Sequence, residues 1–184
     1  MSSMSKIYVA RHGQTDGNTL QVIHSITDTP LNETGIAQAR GLAEQLSGVK
    51  LNAVFSSKLK RAYKTAQIVA KSQNIPHIVD DRIFERDYGV LEHRPYMNPE
   101  MVEIMTKFYD PTDELLIENA ESLSTVIKRI HDFLDEVTKK YRGKNILIVS
   151  HSGIMGFFKD YFEPKPGANL FAWVKNCEVW EFKN

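Results

Sequence analysis

An α/β fold built on a mostly parallel sheet is what this sequence predicts, and three observations lead there. Short apolar runs alternate with longer segments whose apolar residues recur at helical spacing. Ile146-Leu147-Ile148-Val149 is a continuous apolar run, the mark of a strand covered on both faces. Three such runs, ending at Ala10, Phe55 and Val149, are each followed within a few residues by cationic or imidazole side chains: Arg11-His12, Arg61 and His151. Strand ends on one edge of a parallel sheet converge, and open α/β sheets place their ligands there.

The elements follow in order. Ile7 to Ala10 reads as a buried strand, with Gly13 expected to permit a sharp turn after His12 and Thr15, Asp16 and Asn18 just beyond it. Thr19 to Pro30 has no hydrophobic period and reads as a loop. Asn32 caps a helix whose stripe is Ile36, Ala39, Leu42, Ala43 and Leu46, stopped at Gly48. Ala53-Val54-Phe55 suits a second strand, and Ser56-Ser57 are expected to cap the following helix, whose stripe is Leu59, Ala62, Ala66 and Val69. A short strand is expected at His77 to Val79. Asn98 to Tyr109 reads as a helix with Pro99 in its first turn. The surrounding stretch, about 90–121, is expected to be a small helical cap insertion whose acidic residues form a solvated face. Leu123 to Val137 carries the clearest amphipathic pattern, closed by Gly143. A helix to about Phe162 follows His151, and Leu170 to Phe182 reads as one or two β segments interrupted at Lys175-Asn176.

Composition bounds the function. At 184 residues, 42% of them hydrophobic, the chain suits one domain spanning 1–184. Lys plus Arg equals Asp plus Glu at 23 each, which argues against nucleic-acid wrapping or an anionic membrane surface. The single Cys177 excludes an internal disulfide framework and, lacking an arginine six residues on, a cysteine-phosphatase loop. It reads as a buried small hydrophobe. No apolar stretch reaches signal-peptide or transmembrane length, so a cytoplasmic location is expected. Met1 and Met4 are alternative native starts.

The converging strand ends suit a phosphoryl group. Arg11 and Arg61 offer forked donors, and the amides opening the helix after His151 add a favourable dipole. Two histidines at such a site fit nucleophile and donor roles, which proposes covalent phosphoryl transfer. His24, His93 and Arg94 lie where they could reach the mouth of the pocket but read as ordinary loop residues, and His77 and His131 read as structural.

Arg11-His12-Gly13-Gln14-Thr15 with Asn18, Ser56-Ser57-x-Leu59-x-Arg61-Ala62-x-x-Thr65-Ala66, Glu85-Arg86-x-x-Gly89, Glu121-Ser122 and Ser150-His151 together resemble the histidine phosphatase superfamily, also called phosphoglycerate mutase-like. The resemblance spans nearly the whole chain. It implies a three-layer α/β/α sandwich in which His12 is transiently phosphorylated, Arg11, Arg61 and His151 hold the phosphoryl oxygens, Asn18 assists, and Glu85 is the proton donor. Two departures bear on substrate. The mutases of the family usually carry Arg-x-Gln-Gly before the Asp-x-Pro-Leu turn, whereas Val22-Ile23-His24-Ser25 stands here, making Ser25 a candidate substrate contact. Ser152 stands where Gly or Ala is usual, keeping a backbone amide for phosphate and adding a hydroxyl.

The sequence therefore predicts a phosphomonoester hydrolase with a small phosphorylated substrate, and neither nucleic acid nor membrane as a partner. No phosphate-binding loop for nucleotides, H-E-x-x-H or G-x-G-x-x-G motif is present, so no metal or cofactor is expected. A cofactor-dependent phosphoglycerate mutase and a non-catalytic phosphate-binding regulator are the alternatives.

Overall fold

The computed structural model describes residues 5–183, so the choice between Met1 and Met4 lies outside the described residues. The sheet is built from β1 (Lys6–Arg11), β2 (Leu51–Ser56), β3 (His77–Val79), β4 (Asn145–Ser150) and β5 (Val179–Lys183), in the order β3-β2-β4-β1-β5. All neighbours are parallel except β5, which runs antiparallel to β1. The helices are α1 (Asp16–Thr19), α2 (Glu33–Gln45), α3 (Lys60–Gln73), α4 (Pro99–Phe108), α5 (Leu123–Lys140) and α6 (Ser152–Phe162).

Alternation along the central strands divides the core into two layers. Tyr8, Ala10, Val54, Leu147 and Val149 face α2 and α3. Ile7, Val9, Phe55, Ile146 and Ile148 face the other way, where α5 and α6 supply Val126, Ile130, Phe133 and Phe157. With helices on both faces, this is the expected three-layer α/β/α arrangement. β4 is buried from Ile146 to Ser150 and sits between β1 and β2, as its unbroken apolar run demands.

Local chemistry sets the helix boundaries. Asn32 caps α2 by accepting from Gly35 N, Asn98 caps α4 from Met101 N, and Ser122 caps α5 from Thr125 N. Ser56 and Ser57 do not cap α3. Ser56 ends β2, the N-cap position is Leu59 without a side-chain bond, and the Asp28 carboxylate accepts from Lys60 N at 2.7 Å instead. Gly13 is required for a different reason from the expected turn. A Cβ there would lie 2.4 Å from Gly35 O, and one on Gly35 would lie 2.1 Å from Gln14 O, so backbone rests on backbone where β1 leaves the sheet.

The 90–121 stretch is less detached than the sequence suggests. Met101, Met105, Phe108 and Tyr109 belong to the same core as α5 and β1. Two of its acids are structural, since Glu114 receives the Arg86 guanidinium and Leu123 N while Glu121 receives Arg129. The C-terminal stretch holds a single strand, β5. Residues 170–174 are an irregular strap whose amides and carbonyls bond to loops and side chains. No helix among the described residues is long and apolar enough to cross a membrane.

Candidate active site

β1 ends in Arg11 and delivers His12 beyond the sheet edge. His12 Nδ1 donates to its neighbour's carbonyl, Gly13 O, at 2.7 Å, which places the ring proton on Nδ1 and leaves Nε2 with a free lone pair. The loop behind it is held by Thr65, whose hydroxyl accepts from Gly13 N at 3.1 Å and donates to Arg61 O at 2.8 Å. Burial, reinforced by Arg61 and Arg11, lowers His12 well below the ordinary histidine pKa and keeps it neutral.

β4 delivers the second imidazole. His151 is fully buried, with its ring centroid 5.2 Å from that of His12. Its Nε2 bonds the Ser57 hydroxyl at 2.7 Å, and its Nδ1 is buried without a protein partner. Burial first, then the charge of Arg61, depresses its pKa as well.

The two arginines are anchored differently. Arg11 donates from Nη1 to Val174 O at 2.6 Å, while its Nε is buried and unpartnered. Arg61 gives three of its five N–H donors to the loop after α1. Nη1 donates to Thr27 O at 2.8 Å, and Nη2 to Ser25 O at 2.7 Å and His24 O at 3.2 Å. Its guanidinium thus braces that loop while lining the cleft.

Glu85 arrives from the segment after a 3-10 turn at Asp81–Ile83. Its Oε1 accepts from Arg86 N at 2.9 Å and its Oε2 from Gly153 N at 3.1 Å. Burial raises its pKa, opposed by those two amides and by Arg61 and Arg11. Gly153 must lack a side chain, because a Cβ would lie 2.5 Å from Glu85 Oε1 and 2.3 Å from the Tyr88 hydroxyl. Arg129 on α5 fixes the segment by donating to Arg82 O at 2.6 Å and Phe84 O at 2.8 Å.

These groups open on a cleft with about 720 Å³ of space, part of it continuous with solvent. Its polar lining includes Arg11, His12, Asn18, Arg61, Glu85 and Ser152, and its apolar lining Tyr96, Met105, Phe171 and Trp173. A neutral imidazole, two cations and a carboxyl whose pKa is raised by burial, across a shared space, can bind and transfer a phosphoryl group. Among the described residues, no group of three or more His, Cys, Asp or Glu side chains could hold a metal ion.

Comparison with known proteins gives this arrangement its family. A family model described as the histidine phosphatase superfamily (branch 1) matches residues 7–183. The chain belongs to that superfamily. Phosphoserine phosphatase 1 of Hydrogenobacter thermophilus is 31% identical over 156 residues, covering 81% of this chain and 72% of the relative. The protein named probable phosphoglycerate mutase GpmB in Yersinia pestis is 32% identical over 155 residues, covering 83% and 72%. Among solved structures, YhfR of Bacillus stearothermophilus superposes with a TM-score of 0.83 at 25% identity, over 96% of this chain and 90% of that one. A mycobacterial glucosyl-3-phosphoglycerate phosphatase complexed with VO3 shares the fold, with a TM-score of 0.84 at 22% identity over 96% and 90%.

In this histidine phosphatase superfamily member the residues expected at the site fall as follows. Arg11, His12, Asn18, Arg61, Glu85 and Ser152 line one cleft, with His151 directly behind His12. Asn18 Oδ1 accepts from Thr15 N and Asn176 Nδ2, both at 3.1 Å, which leaves its amide donors to the cleft side. Ser25 does not reach the cleft. It is fully buried, and both its amide and its hydroxyl donate to the Glu92 carboxylate. The expectation of a Ser25 substrate contact is therefore corrected: its part is to close the turn whose carbonyls hold Arg61. His24 does line the cleft, edge-on to His93 at 5.3 Å, whereas Arg94 is exposed and outside the lining. Cys177 is half-buried rather than buried, and burial pushes its thiol up to about 12. Sequence reasoning gave Ser57 only a capping role and assigned none to Thr65, Glu92 or Arg129. Ser57 and Thr65 stand inside the motif that carries the family resemblance, the one signal that pointed to them.

Proposed function

We propose that this protein is a phosphomonoester hydrolase that acts on a small phosphorylated metabolite through a phosphohistidine at His12. The observation that carries the reading is the His12 tautomer: Nδ1 is committed to Gly13 O, so Nε2 is the attacking nitrogen, with Glu85 in the same cleft. Attack by Nε2 forms the P–N bond as the P–O bond to the alcohol breaks. The Glu85 carboxyl, its pKa raised by burial, acts in its protonated form and gives that proton to the departing alkoxide. Water then attacks the phosphohistidine while the Glu85 carboxylate takes its proton, and phosphate leaves with His12 neutral again. Arg11, the free donors of Arg61, the Asn18 amide and the buried His151 N–H stabilise the charge on the equatorial oxygens.

Isomerisation of a phosphoglycerate is the second reading, favoured by the name of the Yersinia relative. Against it stands the supply of cations. Arg86, adjacent to Glu85, is fully buried and spent on Glu121 O, Phe108 O and Glu114, so it offers nothing to a second anion.

Rapid quenching with p-nitrophenyl phosphate should trap an acid-labile, alkali-stable phosphoryl group that His12→Ala abolishes together with turnover. Label and near-normal turnover surviving in His12→Ala would overturn the mechanism. Incubation with 3-phosphoglycerate, with and without 2,3-bisphosphoglycerate, separates the two readings. Phosphate release without primer is expected, and primer-dependent isomerisation outpacing it on every ester would establish the mutase instead.

A further inference from the structure

We propose that the cleft selects a phosphomonoester whose alcohol portion carries no second anion and lays an aromatic or flat apolar face against Trp173. This rests on the phosphatase reading and specifies the leaving group it leaves open. Trp173 lines the cleft yet is 59% exposed, a large apolar ring kept in water at the mouth of a binding site. Its neighbours are aromatic too: Phe171 meets it edge-on at 5.0 Å and Tyr96 lies tilted at 6.1 Å.

The ring is not on a loose tether. Val174 is buried and its carbonyl takes the Arg11 guanidinium, Leu170 N donates to Tyr109 O at 3.0 Å, and Asn169 Nδ2 donates to Thr106 O at 2.6 Å. Leu170 O lies so close to α6 that a Cβ on Gly156 would sit 1.9 Å from it. The strap is thus seated on α6 and tied to the same arginine that faces the phosphoryl group. Binding an aromatic portion there costs little ordering, which is where preorganised affinity comes from.

Charge points the same way. A carboxylate on the alcohol portion needs a cation beyond those at the phosphoryl end, and no lysine lines the cleft. Arg11 and Arg61 sit beside His12 and Glu85, and Arg86 is sequestered. The remaining basic group, His24, is lowered below the ordinary histidine pKa by burial and by His93, so it is neutral near pH 7. Val22, Ile23 and Met105 line the same cleft, suit an apolar group and offer an acid nothing.

The test compares phosphonates that cannot be hydrolysed with the corresponding esters. Calorimetry should find 2-phenylethylphosphonate at least about tenfold tighter than n-propylphosphonate or 3-phosphonopropionate, and Trp173→Ala should bring that ratio to within about twofold. Trp173 and Trp180 are the chain's two tryptophans, so in Trp180→Phe the fluorescence of Trp173 should respond to the phenyl ligand even if Trp173→Ala fails to fold. Equal or tighter binding of the carboxylate compound, or a phenyl advantage that survives Trp173→Ala, would overturn the proposal, as would an unresponsive Trp173. Turnover of 2-phenylethyl phosphate and 3-phosphoglycerate keeps the two readings apart. Aryl-selective binding without turnover of any ester sinks the phosphatase reading alone, and turnover without aryl selectivity sinks this inference alone.

Discussion

Glu85 shows how one side chain's environment becomes a measurable rate. A carboxyl that accepts two backbone N–H groups would ordinarily be a stronger acid, yet burial outweighs those bonds and raises its pKa. Glu85→Gln should therefore slow alkyl phosphates by roughly 100- to 10,000-fold, and p-nitrophenyl phosphate far less, because p-nitrophenolate departs without a proton. Equal losses on both esters would move the acid's role elsewhere. Ser57 offers a second residue-level prediction. Its hydroxyl is the protein partner of His151 Nε2, and removing it leaves a buried ring nitrogen unpaired, a cost of about 1–3 kcal/mol. Ser57→Ala should weaken vanadate binding and lower kcat by on the order of tenfold, while Ser57→Thr keeps the bond and most of the rate. Neither the Ser57 bond nor the burial of Ser25 was legible in sequence. Both serines flank turns, and whether a turn serine faces ligand or protein depends on partners dozens of residues away, His151 in one case and Glu92 in the other.

The turn over residues 24–27 is an element with two clients. The Glu92 carboxylate accepts from the amides and hydroxyls of Ser25 and Thr27, and the carbonyls of His24, Ser25 and Thr27 accept from Arg61. Partial burial pushes the Glu92 pKa up, but those donors, the Ser25 hydroxyl foremost, outweigh it and leave the pKa depressed. Glu92→Gln should relax the turn and, through it, Arg61, raising KM for phosphate esters several-fold with a smaller effect on kcat. An unchanged KM would mean that Arg61 keeps its place without the brace. The elements themselves were largely readable. Periodicity located α2, α3 and α5, and the Asn32, Asn98 and Ser122 caps fall where side-chain chemistry says they should. What failed was the aromatic strap, taken for a strand because Leu170, Phe171, Trp173 and Val174 look like one. Its backbone bonds instead to Arg11 and Tyr109, partners that no local pattern reveals.

At the scale of the whole molecule, four histidines, His12, His24, His77 and His151, are held below the ordinary value, with burial the leading cause for each. In the unfolded chain these rings take up protons as pH falls through about 6.5, while the folded protein keeps them neutral, so unfolding binds protons and acidification destabilises. The two fully buried rings, His12 and His151, each contribute a slope of up to about 1.4 kcal/mol per pH unit below that point until the folded pKa is reached, and the more exposed His24 and His77 contribute less. Glu85, raised in the fold, acts in the opposite direction above the carboxylate range and moderates the slope. Thermal melts between pH 7.5 and 5.5 should show Tm falling with pH, and inorganic phosphate should raise Tm at each pH. A flat Tm profile would contradict the buried neutral histidines. The strand order carries a different consequence, one of timing. β1 and β2 are not neighbours, because β4, which begins at Asn145, fills the slot between them. A chain emerging from the ribosome holds β1 with both hydrogen-bonding edges unmatched, and β2 with one, until most of its length has been synthesised. Early fragments are thus the ones most in need of chaperones and most prone to aggregate. A chain released before Asn145 should bind no phosphate and should partition to the insoluble fraction.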